Sequence, residues 1–167
     1  MEALLSLGYG SIMPDDLYER DALAWSERQA ALLRRVARGE RVNDVDWDHV
    51  VEEIEDVGRS ELHAVEWYVE QLLAHLLKLR GWPELRSRDH WRGEIVTSRA
   101  GAARGFAPSM RQRIDLEGIY RTAVRQIEPR RYGGRHMLTS PATCPVTLDQ
   151  LLSLPRTDLE AAFSSPP

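Results

Sequence analysis

Apolar residues recur at steps of three and four along most of this chain, the spacing of one helix face. Leu17, Tyr18, Ala22, Trp25, Gln29, Leu32, Leu33 and Val36 follow Pro14-Asp15-Asp16, which predicts a first helix capped by Asp15 or Asp16 and stopped by Gly39. A polar loop covers 40–46. A second run, Val51, Ile54, Gly58, Leu62, Val65, Val69, Leu72, Leu76 and Leu79, predicts a helix from Asp46 or Asp48 to the Gly81-Trp82-Pro83 stop. Trp91, Ile95, Ser98, Ala102 and Phe106 mark a third helix begun by Ser87 or Asp89. Met110, Ile114, Ile119, Tyr120, Ala123, Val124 and Ile127 mark a fourth, opened by Pro108 and closed by Pro129. Residues 132–145, with Gly133-Gly134, Pro141 and Pro145, predict irregular or extended chain. Thr147 caps a short helix, and Thr157 with Glu160 reads as a capping box for another.

The expectation is an all-α fold, a helical bundle around one long central helix, with an irregular C-terminal segment and short terminal helices. Residues 1–14 form a flexible leader, 15–163 a single domain and 164–167 a frayed tail. The second helix, about 50 Å long, exceeds the roughly 40 Å diameter of a compact chain of this size. It either bends near Gly58 or is covered at one end by another subunit. A continuous, locally bent helix in a homodimer is the expectation, with a further protein partner also compatible.

Composition changes this picture little. Charged residues are 29% and hydrophobic residues 43% of 167, an ordinary globular balance. The single cysteine, Cys144, excludes an intrachain disulfide framework. No apolar run is long enough to span a bilayer, and the N-terminus lacks a basic region, so a cytoplasmic location without membrane contact is expected. The net charge of −4 hides an uneven distribution: residues 1–60 carry 14 acids against 7 bases, residues 81–145 carry 6 against 12. The arginines after residue 80 admit a nucleic-acid-associated reading, which the negative total and the lack of a helix-turn-helix oppose.

Candidate chemistry concentrates on the long helix. With Val51 as zero and about 100° per residue, Glu55 lies at about 40°, Glu61 at about 280° and His75 at about 240°. These three flank the seam and are expected to be partly buried. Glu53 and Asp56 fall on the far side and are expected to be solvated. Buried carboxylates need partners, so a register-fixing network is predicted in which Glu55 or Glu61 pairs with Arg88, Arg92 or Arg99, or with Lys78 or His75. The sharper alternative is an enzyme using Glu55, Glu61 and His75 in acid–base or metal-assisted chemistry, in a cleft closed by Trp91. Neither His63 nor His75 completes a Glu-x-x-His pair, so no metal or cofactor is expected. A non-enzymatic structural or protein-interaction role is the leading reading.

Several blocks in order also carry a family resemblance. They are Glu52-Glu53-Ile54-Glu55 with Gly58, Ser60 and Glu61, then His75-Leu76-Leu77-Lys78, Trp91 with Arg99, Pro108-Ser109, Tyr120 with Ala123, and Cys144-Pro145 with Gln150-Leu151-Leu152. Over residues 15–155 the chain resembles the DUF29 family of small helical bacterial proteins. The resemblance implies a helical fold and no particular activity. His90 stands where that family usually has serine.

Overall fold

A computed structural model describes residues 15–83 and 86–164. The leader expected over 1–14 and the tail beyond Ser164 lie outside the described residues, as does the side-chain cap expected from Asp15 or Asp16. Seven helices account for most of the described chain: α1 Asp15–Arg20, α2 Ala22–Ala37, α3 Trp47–Gly81, α4 Arg88–Gly105, α5 Leu116–Ile127, α6 Leu148–Ser153 and α7 Arg156–Ser164. A two-residue hairpin, β1 Arg131–Tyr132 and β2 Arg135–His136, sits between α5 and α6. The all-α expectation holds, with α3 as its long helix. That helix runs unbroken through Gly58.

The chain forms two compact units whose boundary falls inside α3, the first ending at Val57 and the second starting at Gly58. In the first unit the single predicted helix is two. Asp21 turns its carboxylate onto the amide of Ala24 and caps α2, so α1 stops one residue earlier. Gly39 ends α2 as predicted. Its φ of 81° is left-handed, its amide donates to the Val36 carbonyl, and the Glu40 amide reaches Arg35, which together make a Schellman motif. Among the described residues of this unit, Trp25, Leu32, Val45 and Val50 are the buried apolar ones.

The second unit has a larger core. Val65, Val69, Leu72, Leu73, Leu76 and Leu77 of α3 are essentially inaccessible and pack in one cluster with Trp91, Ile95 and Ala102 of α4. Tyr120, Ala123 and Ile127 of α5, Leu151 of α6, and Leu159 and Phe163 of α7 complete that cluster. The predicted faces of α4 and α5 are therefore the buried ones. Two helix starts differ from expectation. Pro108 opens only a 3-10 turn to Met110, and α5 begins at Leu116 because Asp115 caps the Gly118 amide. The capping box expected at Thr157 does not form: α7 starts at Arg156, and the Thr157 hydroxyl donates to Asp158. The box at Thr147 and Gln150 does form. Gly133 and Gly134 both take positive φ, which a type I′ hairpin turn requires.

Candidate functional site

In the first unit, α3 is packed through a polar and aromatic side. Tyr18 of α1 donates to Glu53 Oε1 at 2.7 Å and stacks on the His49 ring at 4.0 Å between centroids. The Trp25 indole donates to Asp46 Oδ2 at 3.0 Å, and His49 Nδ1 lies 2.7 Å from the same oxygen. Gln29 is buried and accepts from the Asp46 amide. The hydrogen bond to Glu53 pushes the Tyr18 phenol up to about 12. Burial works to raise the Asp46 carboxyl, but the bonds from His49 and Trp25 outweigh it and hold the group below its ordinary value.

This arrangement inverts the expected split of the acids. Glu53, expected in solvent, is half-buried and bonded, and Asp56 is half-buried. Glu55 and Glu61, expected at a buried seam, are exposed. The seam itself is bare over its first turns, with Val51 52% and Ile54 67% exposed, and Trp47 at 53% and Val57 at 66% extend the bare stripe beside it. The seam reasoning fails here because α1 and α2 contact α3 at about 200°, the direction of Glu53, rather than at zero.

His75 is buried as expected. Its Nδ1 lies 2.7 Å from the Gln71 carbonyl, so the proton is assigned to that nitrogen. Burial pushes the imidazole below its ordinary 6.5, Lys78 and His90 act in the same direction, and the Gln71 carbonyl and Glu94 oppose them. Burial likewise lowers the Lys78 ammonium, helped by Arg130 and opposed by Tyr132 and Glu94. Glu94 and Tyr132 were not among the sequence candidates. Glu94 lies four residues from His90 on α4, a spacing that could have drawn notice. Tyr132 was hidden in a segment with no periodicity.

The arginines do not take the expected partners. Arg88 donates to the Leu79 carbonyl at 2.7 Å, in the last turn of α3. Arg99 donates to the carbonyl of Leu154, the residue that ends α6. Arg92 bonds Asp89 and reaches Glu160 of α7 at 3.4 Å. Arg80 bonds the Thr139 carbonyl at 3.0 Å and the Phe163 carbonyl in the last turn of α7. Three of these guanidiniums thus fill carbonyls that a helix end leaves without partners.

Trp91 is buried in a ring cluster, 5.4 Å from Tyr132 and 6.4 Å from Trp82 between centroids. A cleft of about 370 Å³ adjoins Trp82 and the hairpin, and another of about 330 Å³ lies between α5 and residues 139–142. Neither cleft is lined by His75, Glu55 or Glu61. Among the described residues no three His, Cys, Asp or Glu side chains gather as a metal ion would need, and no helix is long and apolar enough to cross a membrane.

The order of the polar blocks along these helices matches a known pattern. The family described as "Domain of unknown function DUF29" covers residues 17–154. The chain belongs to the DUF29 family. A crystal structure of an alpha-helical protein of unknown function from Rhodospirillum rubrum is similar, with a TM-score of 0.60 and 30% sequence identity. That similarity covers 88% of this chain and 95% of the other. No curated protein matches the chain. The DUF29 blocks fall on different roles: Glu53 is bonded to Tyr18, His75 and Lys78 lie at the bundled half of α3, and Arg99 holds the end of α6.

Proposed function

We propose that this DUF29 protein is a non-enzymatic interaction module that pairs with a second copy of itself through the first turns of α3. The observation carrying the reading is the bare stripe of Trp47, Val51, Ile54 and Val57, each more than half exposed. Together these side chains offer on the order of 400 Å² of apolar surface, the size at which patches on soluble proteins mark contact sites. The same seam further along α3, at Val65, Val69 and Leu72, is fully covered. The stripe is nearly palindromic, with steps of four, three and three. An antiparallel two-fold pairing centred near Glu52 therefore sets Trp47 opposite Val57 and Val51 opposite Ile54, apolar against apolar throughout.

That symmetry also brings like flanks together. Each copy brings the same acidic half, 14 acids against 7 bases in residues 1–60, so a dimer built this way tightens as salt rises. A basic foreign partner on the same stripe would be weakened by salt instead. Arg88, Arg92 and Arg99 are engaged with carbonyls and acids, which leaves fewer arginines after residue 80 for a phosphate backbone.

The test is the solution mass by light scattering, with and without added salt. The wild-type chain is expected at twice its monomer mass, and Ile54→Glu at the monomer mass. Leu23→Glu, an exposed apolar site off the stripe, should leave the dimer intact. A wild-type monomer at all concentrations and salts would sink the reading.

A further inference from the structure

A second feature, wholly within the second unit, does not depend on self-association. Of the 22 lysine and arginine residues in the chain, Lys78 is the only lysine. An arginine keeps its charge at any ordinary pH, whereas a lysine in a dry setting can release its proton and become a nucleophile. We infer that Lys78 is a reactive amine that captures small carbonyl compounds, aldehydes or 2-oxo acids, as a reversible imine, with His75 as its base.

The surroundings of the two side chains carry this. Lys78 is half-buried, and among the described residues neither a hydrogen bond nor an ion pair holds its ammonium. A lysine near a helix end often bonds the last carbonyls, but here Arg88 already fills that of Leu79 at 2.7 Å. His75 lies one turn back on the same side of α3 and is only 8% exposed. Its Nδ1 is committed to the Gln71 carbonyl, and among the described residues Nε2 has no hydrogen bond, so its lone pair is the acceptor left over. Burial favours the uncharged amine at Lys78 and Arg130 pushes the same way, against Glu94 and Tyr132. Burial also keeps the imidazole neutral, as a base must be.

The step balances without a co-reactant. The Lys78 ammonium yields a proton to His75 Nε2, the free amine adds to the carbonyl carbon, and the C=O electron pair moves to oxygen. The imidazolium returns its proton as the hydroxyl leaves, so ammonium and carbonyl become iminium and water. Neither cleft described above is lined by Lys78 or His75, so the compound meets the amine from open solvent, which suits one of few atoms.

The experiment is reductive trapping on the full chain near neutral pH. Glyoxylate and propanal serve as separate probes, cyanoborohydride fixes the imine, and peptide mass mapping locates the adduct and separates it from any on the α-amino group. An adduct on Lys78 is expected, formed severalfold faster in the folded chain than in chain unfolded with guanidinium chloride, where the effect of burial is gone. Burial without activation gives the opposite order. Lys78→Arg should abolish that adduct, and His75→Gln should slow it severalfold in the folded chain while leaving the unfolded rate unchanged. Trapping of glyoxylate alone assigns a 2-oxo acid, of propanal alone a neutral aldehyde, and of both the shared carbonyl chemistry. No adduct on Lys78, slower trapping in the folded chain, or an unchanged folded rate in His75→Gln overturns the assignment.

Discussion

Gly101 of α4 faces the ring of Tyr68 of α3 so closely that any side chain at 101 must displace it. A β-carbon at 101 would stand 2.5 Å from Tyr68 Cε1 and 2.6 Å from Cδ1 and Cζ. Those are ring atoms, which move only as a rigid plate, and Tyr68 in turn leans on Trp67 with centroids 5.0 Å apart. Two effects of Gly101→Ala oppose each other. Removing a glycine from a helix interior stabilises by roughly 0.5–1 kcal/mol, while forcing an extra carbon into a filled contact costs about 1–3 kcal/mol. The clash is larger, so the substitution should destabilise by about 1 kcal/mol net. Replacing Tyr68 with alanine removes the obstacle. In that background Gly101→Ala should become stabilising by roughly 0.5–1 kcal/mol, a change of sign that a double-mutant cycle in urea reads directly. Stabilisation by Gly101→Ala in the wild-type background, or the same effect in both, would refute the reasoning.

Two further outcomes test the polar assignments. His75 has its pKa lowered from 6.5, so between the folded value and 6.5 the unfolded chain holds a proton that the folded chain lacks. Stability should therefore rise with pH through that window and fall on acidification below 6.5; the difference in melting profile between wild type and His75→Leu isolates it, and a flat difference would count against a buried neutral imidazole. Arg80→Ala removes bonds to the Thr139 and Phe163 carbonyls and should cost roughly 2 kcal/mol in thermal or urea unfolding, whereas Arg113→Ala, at an exposed position, should stay within about 0.5 kcal/mol.

Much of the fold could be read from periodicity, and the reason is visible at α3. From Leu62 to Leu79 its apolar stripe meets apolar stripes from α4, α5, α6 and α7, so spacing and burial coincide. Caps with one local partner were also legible, as at Gly39 and at Thr147 with Gln150. Other signals depended on which of two local bonds wins. Asp21 split a helix that the apolar spacing joined, and Asp115 displaced the start that Pro108 suggested.

The candidate site was less legible because hydropathy ranks faces by oiliness rather than by contact. His75 was found, since it sits where seam and core agree. Glu53 was missed because its partner is Tyr18, 35 residues away, and no spacing rule joins them. The arginines were recognised as partners, but backbone carbonyls at helix ends took most of them. Those acceptors exist only once the chain has folded.

The inversion on α3 has a physical consequence. A helix normally turns its apolar side inward because that removes the most surface from water. Over its first three turns α3 instead engages α1 and α2 through His49 and Glu53, with Asp46 just ahead of it, and leaves Trp47, Val51, Ile54 and Val57 outside. Hydrogen bonds specify that polar contact, yet each contributes only about 1 kcal/mol net. Burying one large aliphatic side chain is worth about 1.5–3 kcal/mol. An isolated chain would thus gain more by rotating the helix than by keeping the bonds, unless the apolar side has its own cover. In the proposed dimer a second copy would supply that cover without disturbing Tyr18, Trp25 or Gln29. Ile54→Glu should accordingly cost the dimer while the Tyr18–Glu53 contact persists, which a retained near-ultraviolet signal from Tyr18 and Trp25 would reveal. Loss of that signal together with the dimer would mean that the polar side cannot stand alone, and that the two faces of α3 form as one unit.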